Sequence, residues 1–185
     1  THTIQFNYFR NDQLVNIKYR DEQKGFKLFK DAELIFYNLD SIKDKKEVFI
    51  TEGEPDCLAL IECGYWNDNS GVVSVPNGAN KFTNNLTYVD NCIDAFKDVE
   101  LINLCLDNDP NGRKLRDELA ERFGKHRCKF IEFKDTKDAN ECLVKYNIQA
   151  IIDCCANPLP FPLEGAFTVS DFDNEIEDMY ENGLE

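Results

Sequence analysis

Between residues 47 and 157 the chain runs four times through one cycle: a short β-rich apolar run, a polar turn, then a stretch with helical apolar spacing. Val48-Phe49-Ile50-Thr51 leads to a helix from Pro55 to Cys63 that Gly64 stops, Pro55 being suited to a first helical turn. Val72-Val73-Ser74-Val75 is halted by Pro76 and followed, after a Gly/Asn loop, by a helix near 85–96. Leu101-Ile102-Asn103-Leu104-Cys105-Leu106 precedes an amphipathic helix over 111–123 that Gly124 closes. Cys128-Lys129-Phe130-Ile131-Glu132-Phe133 precedes helices over 139–146 and 148–155. Strands separated by a helix cannot close as hairpins. The helix returns the chain across one face of the sheet, so successive strands run parallel. The pattern predicts an α/β fold: a mainly parallel sheet with helices on both faces.

Residues 1–46 have a different texture. Thr3-Ile4-Gln5-Phe6-Asn7-Tyr8-Phe9, Leu14-Val15-Asn16-Ile17-Lys18-Tyr19 and Phe26-Lys27-Leu28-Phe29 read as strands, with Arg10-Asn11-Asp12 and Glu22-Gln23-Lys24-Gly25 as turns. They predict a small antiparallel β-rich subdomain, bounded by the charged run Lys43-Asp44-Lys45-Lys46-Glu47. Pro158, Pro160 and Pro162 are expected to end regular structure. Residues 158–185 then read as an acidic linker or docking segment, with Phe167, Val169, Phe172, Ile176 and Tyr180 as scattered anchors. With 185 residues, 42% of them hydrophobic, the chain fills one packed core with a small appendage, which excludes disorder throughout. It starts Thr1-His2-Thr3-Ile4, without an initiator Met or a signal-peptide pattern, and is expected to be a piece of a longer polypeptide.

Charge and cysteine usage narrow the class. Lys and Arg number 21 against 35 Asp and Glu, a net charge of -14, which argues against strong nonspecific nucleic-acid binding. Eight of the acids and no base lie between Glu164 and Glu185, so the tail carries more than half of the imbalance. No apolar run reaches the ~18 residues of a membrane-spanning helix. The eight Cys form no C-x-x-C pair, and most sit in apolar segments, where a reduced Cys acts as a small hydrophobe. A reducing, cytosol-like compartment is expected, without a zinc site built from these Cys, His2 and His126.

In parallel α/β sheets, ligands bind beyond the carboxyl ends of the strands. Acids follow three of the four strands: Thr51-Glu52-Gly53-Glu54-Pro55-Asp56, Asp107-Asn108-Asp109-Pro110-Asn111-Gly112-Arg113-Lys114, and Lys134-Asp135-Thr136-Lys137-Asp138-Ala139-Asn140-Glu141. The remaining strand supplies a glycine loop without acids, Pro76-Asn77-Gly78-Ala79-Asn80-Lys81. Carboxylates gathered at one sheet edge repel each other, a cost that a hard divalent cation removes; Mg²⁺ takes a few carboxylates and keeps waters and phosphate oxygens. That donor set suits phosphoryl transfer. Asp107 and Asp109, two apart in extended backbone, project to one side and can share a metal or hold two.

These residues resemble a TOPRIM domain, the metal-binding α/β module of primases, topoisomerases and some nucleases. Glu52-Gly53-Glu54 with Asp56, the D-x-D pair Asp107 and Asp109 followed by Gly112-Arg113-Lys114, and above all Lys137-Asp138-Ala139-Asn140-Glu141 are similar to the phage-type and Twinkle-like primase-helicases. The resemblance is close over 47–157. It implies that 1–46 ends the preceding RNA-polymerase subdomain and that 158–185 leads toward a helicase domain outside this chain. It implies template-directed RNA primer synthesis on single-stranded DNA from nucleoside triphosphates, with Mg²⁺ or Mn²⁺ as cofactor. Glu52, Asp107 and Asp109 match the catalytic metal-holding acids, Glu52 as a proton acceptor, and Asp56 and Asp138 match the supporting acids. Arg113, Lys114, Lys137, Asn140, Asn77 and Gly78 are the nucleotide and template contacts it suggests. Implied partners are zinc-binding and helicase domains of the same parent chain and a ring oligomer formed through the helicase. No membrane is implied, and the setting is the cytoplasm of a bacterial or phage-infected cell.

Plainer readings stand beside these. Asp107, Asp109, Asn111, Gly112 and Glu118 fit the EF-hand pattern, but the preceding run is strand-like where an EF-hand needs a helix. Glu52 and Glu54 suit any helix N-terminus, Asp138 suits an N-cap, and Lys114 with Glu118 suits an i,i+4 pair. Arg122, Lys125, His126, Arg127 and Lys129 suit a solvated helix end. The aromatic residues Phe6, Tyr8, Phe26, Phe29, Phe36 and Tyr37 can stack bases, though burial in a small sheet is the commoner use. The alternative functions are a TOPRIM nuclease, against which Lys137 to Glu141 argues, and a non-catalytic DNA-binding module of a helicase.

Overall fold

The structure, a computed structural model, describes residues 2–23, 25–29, 31–79, 85–162 and 179–180. Near the N-terminus, β1 (Thr3–Arg10), β2 (Gln13–Asp21) and β3 (Phe26–Leu28) form the expected antiparallel sheet, in the order β1-β2-β3. Asn11 and Asp12 turn the first hairpin with φ of 51° and 61°, a left-handed pair whose twist matches the flanking strands. Their amides donate to the Asp40 carboxylate at 2.8 and 2.9 Å, which fastens the hairpin tip to a 3₁₀ turn at Leu39–Ile42.

The larger sheet is built from β4 (Glu47–Thr51), β5 (Ser70–Ser74), β6 (Leu101–Cys105), β7 (Cys128–Phe130) and β8 (Leu159–Pro160), in the order β5-β4-β6-β7-β8. All pairings are parallel except β7 with β8. The helices are α1 (Glu54–Glu62), α2 (Thr87–Cys92), α3 (Pro110–Phe123), α4 (Ala139–Lys145) and α5 (Ile148–Cys155). Side chains alternate across the sheet, yet both sets are apolar, as a sheet covered on both sides requires. Phe49, Val72 and Cys105 pack with Cys57 and Leu60 of α1, Cys142 of α4 and Ile151 of α5. Val48, Ile50, Val73, Ile102 and Leu104 pack with Tyr88 of α2 and Leu115, Leu119 and Phe123 of α3. Phe6, Tyr8, Ile35 and Phe36 belong to that second cluster, so the antiparallel sheet shares a core with the parallel one. Phe36 stands edge-on to Tyr88, with ring centroids 4.9 Å apart at 90°.

Three segments differ from the sequence expectation. The helix near 85–96 divides into α2 and a 3₁₀ turn at Ile93–Phe96. The strand expected over 128–133 stops at Phe130: Ile131 N still donates to Leu104 O at 3.0 Å, but the ladder does not continue past it, and Phe133 packs into the core with residues of α1 and α4. The proline segment does not end regular structure: β8 pairs Leu159 with Phe130 and Pro160 with Lys129. Proline is tolerated there because β8 is an outer strand whose missing N–H faces no partner. Phe161 follows, buried against Phe130 with centroids 5.2 Å apart. At the opposite margin Tyr37 and Ser74 exchange backbone hydrogen bonds of 2.9 and 3.2 Å, and Asn38 Nδ2 and Ser41 Oγ both donate to Val72 O at 2.9 Å. Of the tail anchors, Phe167, Val169, Phe172 and Ile176 lie outside the described residues, and Tyr180 is exposed. No helix among the described residues is long and apolar enough to cross a membrane, and all eight cysteines are free.

Candidate metal centre at the strand ends

From β4 the chain steps to β5 on one side, then crosses back to β6 on the other. The loops after β4 and β6 therefore part toward opposite faces, which opens a crevice at the carboxyl ends of the strands. A cleft of about 720 Å³ lies there, large enough for a nucleotide. Its lining includes Glu52, Asp56, Asn77, Gly78, Asp107, Lys137, Asp138 and Asn140 from the strand-end loops, and Lys18, Arg20, Phe26 and Leu28 from β2 and β3.

Asp56, Asp107 and Asp138 come from three different strand-end segments, and one carboxylate oxygen from each lies within 4.8 Å of the others. Burial, with the nearby Asp138 carboxylate, holds the Asp56 carboxyl well above the usual carboxylate range, against a 3.0 Å hydrogen bond from Asn140 N. Burial also raises Asp107, although Lys137 Nζ, 2.5 Å from its Oδ2, favours the charged form. Asp138 is the N-cap of α4 as well, accepting from Glu141 N at 2.7 Å, so the capping reading of that residue holds and one of its carboxylate oxygens lies in the cluster.

Glu52 sits beside this cluster. Its Oε1 accepts from Ala79 N at 3.0 Å and its Oε2 faces Asp107 N at 3.4 Å. Burial and the Asp107 charge push its carboxyl up to about 7, despite those two hydrogen bonds. Gly78, at φ +64°, turns the loop that brings Ala79 N there. Asp109 is turned elsewhere: its Oδ1 caps α3, accepting from Asn111 N and Gly112 N at 2.9 Å each, and its Oδ2 lies 3.5 Å from Lys137 Nζ. Burial is the largest single influence on Asp109 and pulls it upward, but the bonds from Gly112 N and Asn111 N and the Lys137 ammonium together outweigh it and lower the carboxyl. Gly112 is required, since a Cβ there would stand 2.2 Å from Asp107 O.

Asn108 joins the loops after β6 and β7. Its amide donates to Lys137 O at 2.7 Å, and its Nδ2 donates to Phe133 O and Thr136 O. The lysine thus placed bridges Asp107 and Asp109. Arg113 and Lys114 lie outside the cleft lining: Arg113 donates to Asn108 O at 2.9 Å and Lys114 pairs with Glu118. Arg116 stacks on Phe130 at 4.1 Å, and Arg127 donates to three backbone carbonyls, of Phe123, Phe96 and Val99. The strand β6, the capping role of Asp109 and the Lys114–Glu118 pair together remove the EF-hand reading.

Sequence reasoning missed the contribution of the N-terminal sheet. Lys18, 6% exposed, forms a 2.7 Å ion pair with Glu54 and donates to Pro76 O at 2.9 Å, while Tyr8 OH donates to Glu54 at 2.5 Å. This buried pair locks β2 to the loops after β4 and β5. Burial together with the Glu54 charge raises the Tyr8 hydroxyl far above its usual range, keeping it a donor. The available signal was a lysine in an alternating strand, but alternation misleads here: Asn16 and Lys18 face inward, and Val15, Ile17 and Tyr19 are only half-buried.

The family described as Toprim-like matches residues 49–143, the stretch that supplies every one of these strand-end carboxylates. The chain belongs to the Toprim-like family. Two curated proteins of Arabidopsis thaliana are similar to it: a primase homolog protein, 34% identical over 87% of this chain and 52% of that protein, and a Twinkle homolog protein, chloroplastic/mitochondrial, 34% identical over 96% of this chain and 27% of that protein. The chain spans about half or less of these relatives. Among solved structures, the primase domain of bacteriophage T7, bound to an RNA/DNA hybrid and dTTP in a complex with the lagging-strand DNA polymerase, superposes with a TM-score of 0.72. It is 27% identical over 86% of this chain and 79% of that one. The TOPRIM resemblance is thus borne out in family and fold: this is a primase-type TOPRIM domain preceded by a separate antiparallel sheet.

The Toprim-like carboxylates fit a divalent cation on their own chemistry. They are hard oxygen donors, brought close together, partly stripped of water and left repelling one another, the condition a Mg²⁺-type ion relieves.

Proposed function

We propose that this chain is the metal-binding catalytic part of a DNA primase within a primase-helicase parent, joining nucleoside triphosphates into RNA primers on single-stranded DNA with Mg²⁺ or Mn²⁺. The observation that carries the reading is the convergence of Asp56, Asp107 and Asp138 beside Glu52, at the mouth of a nucleotide-sized cleft with a cationic opposite wall. A divalent cation held by these carboxylates supplies Lewis-acid charge at the attacking hydroxyl and the phosphate oxygens when bound. Glu52, poised near neutrality, takes up the proton released by the primer 3'-hydroxyl as it attacks the α-phosphate. Lys137, released from Asp107 and Asp109, offers its ammonium to triphosphate oxygens, where negative charge builds as pyrophosphate leaves. Asn77 and Gly78 shape the floor behind Glu52, and Asn140 holds Asp56 through its amide. Arg113 and Lys114, at the start of α3, serve the passing template strand. In this reading 1–46 closes the polymerase subdomain, 47–157 is the TOPRIM domain, and 158–185 leads to the helicase domain through which a ring assembles. A zinc-binding domain of the same parent reads the template, and the free thiols suit a reducing cytoplasm.

The test is template-directed dinucleotide synthesis by a polypeptide that carries this chain and the parts flanking it. Asp107→Asn and Asp138→Asn should each abolish synthesis while far-UV circular dichroism stays that of the wild type. Unchanged synthesis refutes the site, and cleavage of the single strand in place of incorporation supports a nuclease.

A further inference from the structure

The cleft has a wall that the metal chemistry leaves unused. β2 and β3 overhang it with one face, on which Arg20 stands directly across the ladder from Phe26, and Lys18 across from Leu28. Lys18 is committed to Glu54 and Pro76 O. Arg20 is not: among the described residues its side chain pairs with no carboxylate. Its guanidinium lies 5.4 Å from the centre of the Phe26 ring, and the Lys18 ammonium lies 4.7 Å from it. Phe26 stays 56% exposed, as does Ile4 at 58% across Arg20 in the same row, whereas Phe6 and Tyr8 further along that face of the sheet are buried in the core. A phenyl ring set in place by a ladder pair, beside two cations and largely open to a nucleotide-sized cleft, does little for the core and has exposed aromatic surface to offer.

We propose that Phe26 and Arg20 form a base-and-phosphate shelf: the Phe26 ring takes a nucleobase on its open face, and Arg20 takes the phosphate of that same nucleotide. The shelf rests on the nucleotidyl-transfer reading and adds to it the wall that receives the base. An aromatic face accepts any base, so the contact sets affinity and orientation without selecting sequence. A planar guanidinium beside it suits phosphate oxygens and stacks on the base edge. The ligand is a nucleobase joined to phosphate, and it comes from a free triphosphate or from a single strand.

The experiment measures affinity of the full chain, in Mn²⁺, for ATP against inorganic triphosphate and for an oligodeoxythymidylate against an abasic strand of equal length. Phe26→Ala and Phe26→Leu, the second keeping apolar bulk without a π-face, should weaken ligands that carry a base by roughly 5- to 100-fold. They should leave base-free ligands unchanged, while Phe26→Trp retains wild-type affinity and Arg20→Gln weakens all four. A loss confined to ATP assigns the shelf to the incoming nucleotide, and one confined to the oligomer assigns it to the template. Equal losses with and without the base, or no loss, overturn the shelf. Calorimetric Mn²⁺ binding separates the two failures. If metal binding persists without base discrimination, the shelf alone fails; if the wild type binds neither Mn²⁺ nor nucleotide, the nucleotidyl-transfer reading falls with it.

Discussion

Glu52 carries an energetic signature that a pH series reads directly. Its folded carboxyl, at about 7, holds a proton more tightly than the ordinary value of 4.5. The folded state therefore gains from this group at low pH, and the gain is lost as pH rises from 4.5 through about 7. The loss amounts to roughly 3 kcal/mol across that window. Urea unfolding of the metal-free chain at about pH 5 and about pH 8 should show this decline, and Glu52→Gln should make it shallower by the Glu52 share, leaving the part that the likewise raised Asp56 and Asp107 contribute. A wild-type slope unchanged by Glu52→Gln would contradict the burial and charge attributed to this carboxyl. The acids were legible in the sequence because strand ends fix where they go. What was not legible is that Asp109, grouped with Asp107 in the sequence, turns away to cap α3.

At the scale of elements, Asp138 tests whether one side chain serves both helix and metal. Asn is as good an N-cap as Asp, so Asp138→Asn should melt within experimental error of the wild type and still lose most Mn²⁺ affinity. Asp138→Ala should lose the affinity and about 1 kcal/mol of stability besides. Thermal melts and Mn²⁺ calorimetry of the two variants settle the matter, and full Mn²⁺ affinity in Asp138→Asn would remove Asp138 from the metal set. The α1 start was readable from Pro55, which suits a first turn. β8 was not, because proline signals a stop and only the presence of the β7 margin turns Leu159–Pro160 into a strand.

Over the whole molecule, the two sheets were foreseeable and their common core was not. Phe6 and Tyr8 meet Val73 and Val75 through tertiary packing that local periodicity does not encode. The lysine that crosses between the sheets, Lys18, fastens them at the site itself. Residues 2–162 should consequently unfold in one step: fluorescence of Trp66, the single tryptophan, and far-UV circular dichroism should give the same urea midpoint. Two separated midpoints would show that the antiparallel sheet folds alone. The margins of the parallel sheet carry a further consequence. One rim is met by the Tyr37 bridge and the Asn38 and Ser41 side chains, the other by a two-residue strand containing proline. A sheet sealed along both rims cannot recruit another chain by strand addition. Strand addition is thereby turned away from the parallel sheet and left to the outer strands β1 and β3 of the antiparallel one, the only sheet margins among the described residues that another chain could extend at length.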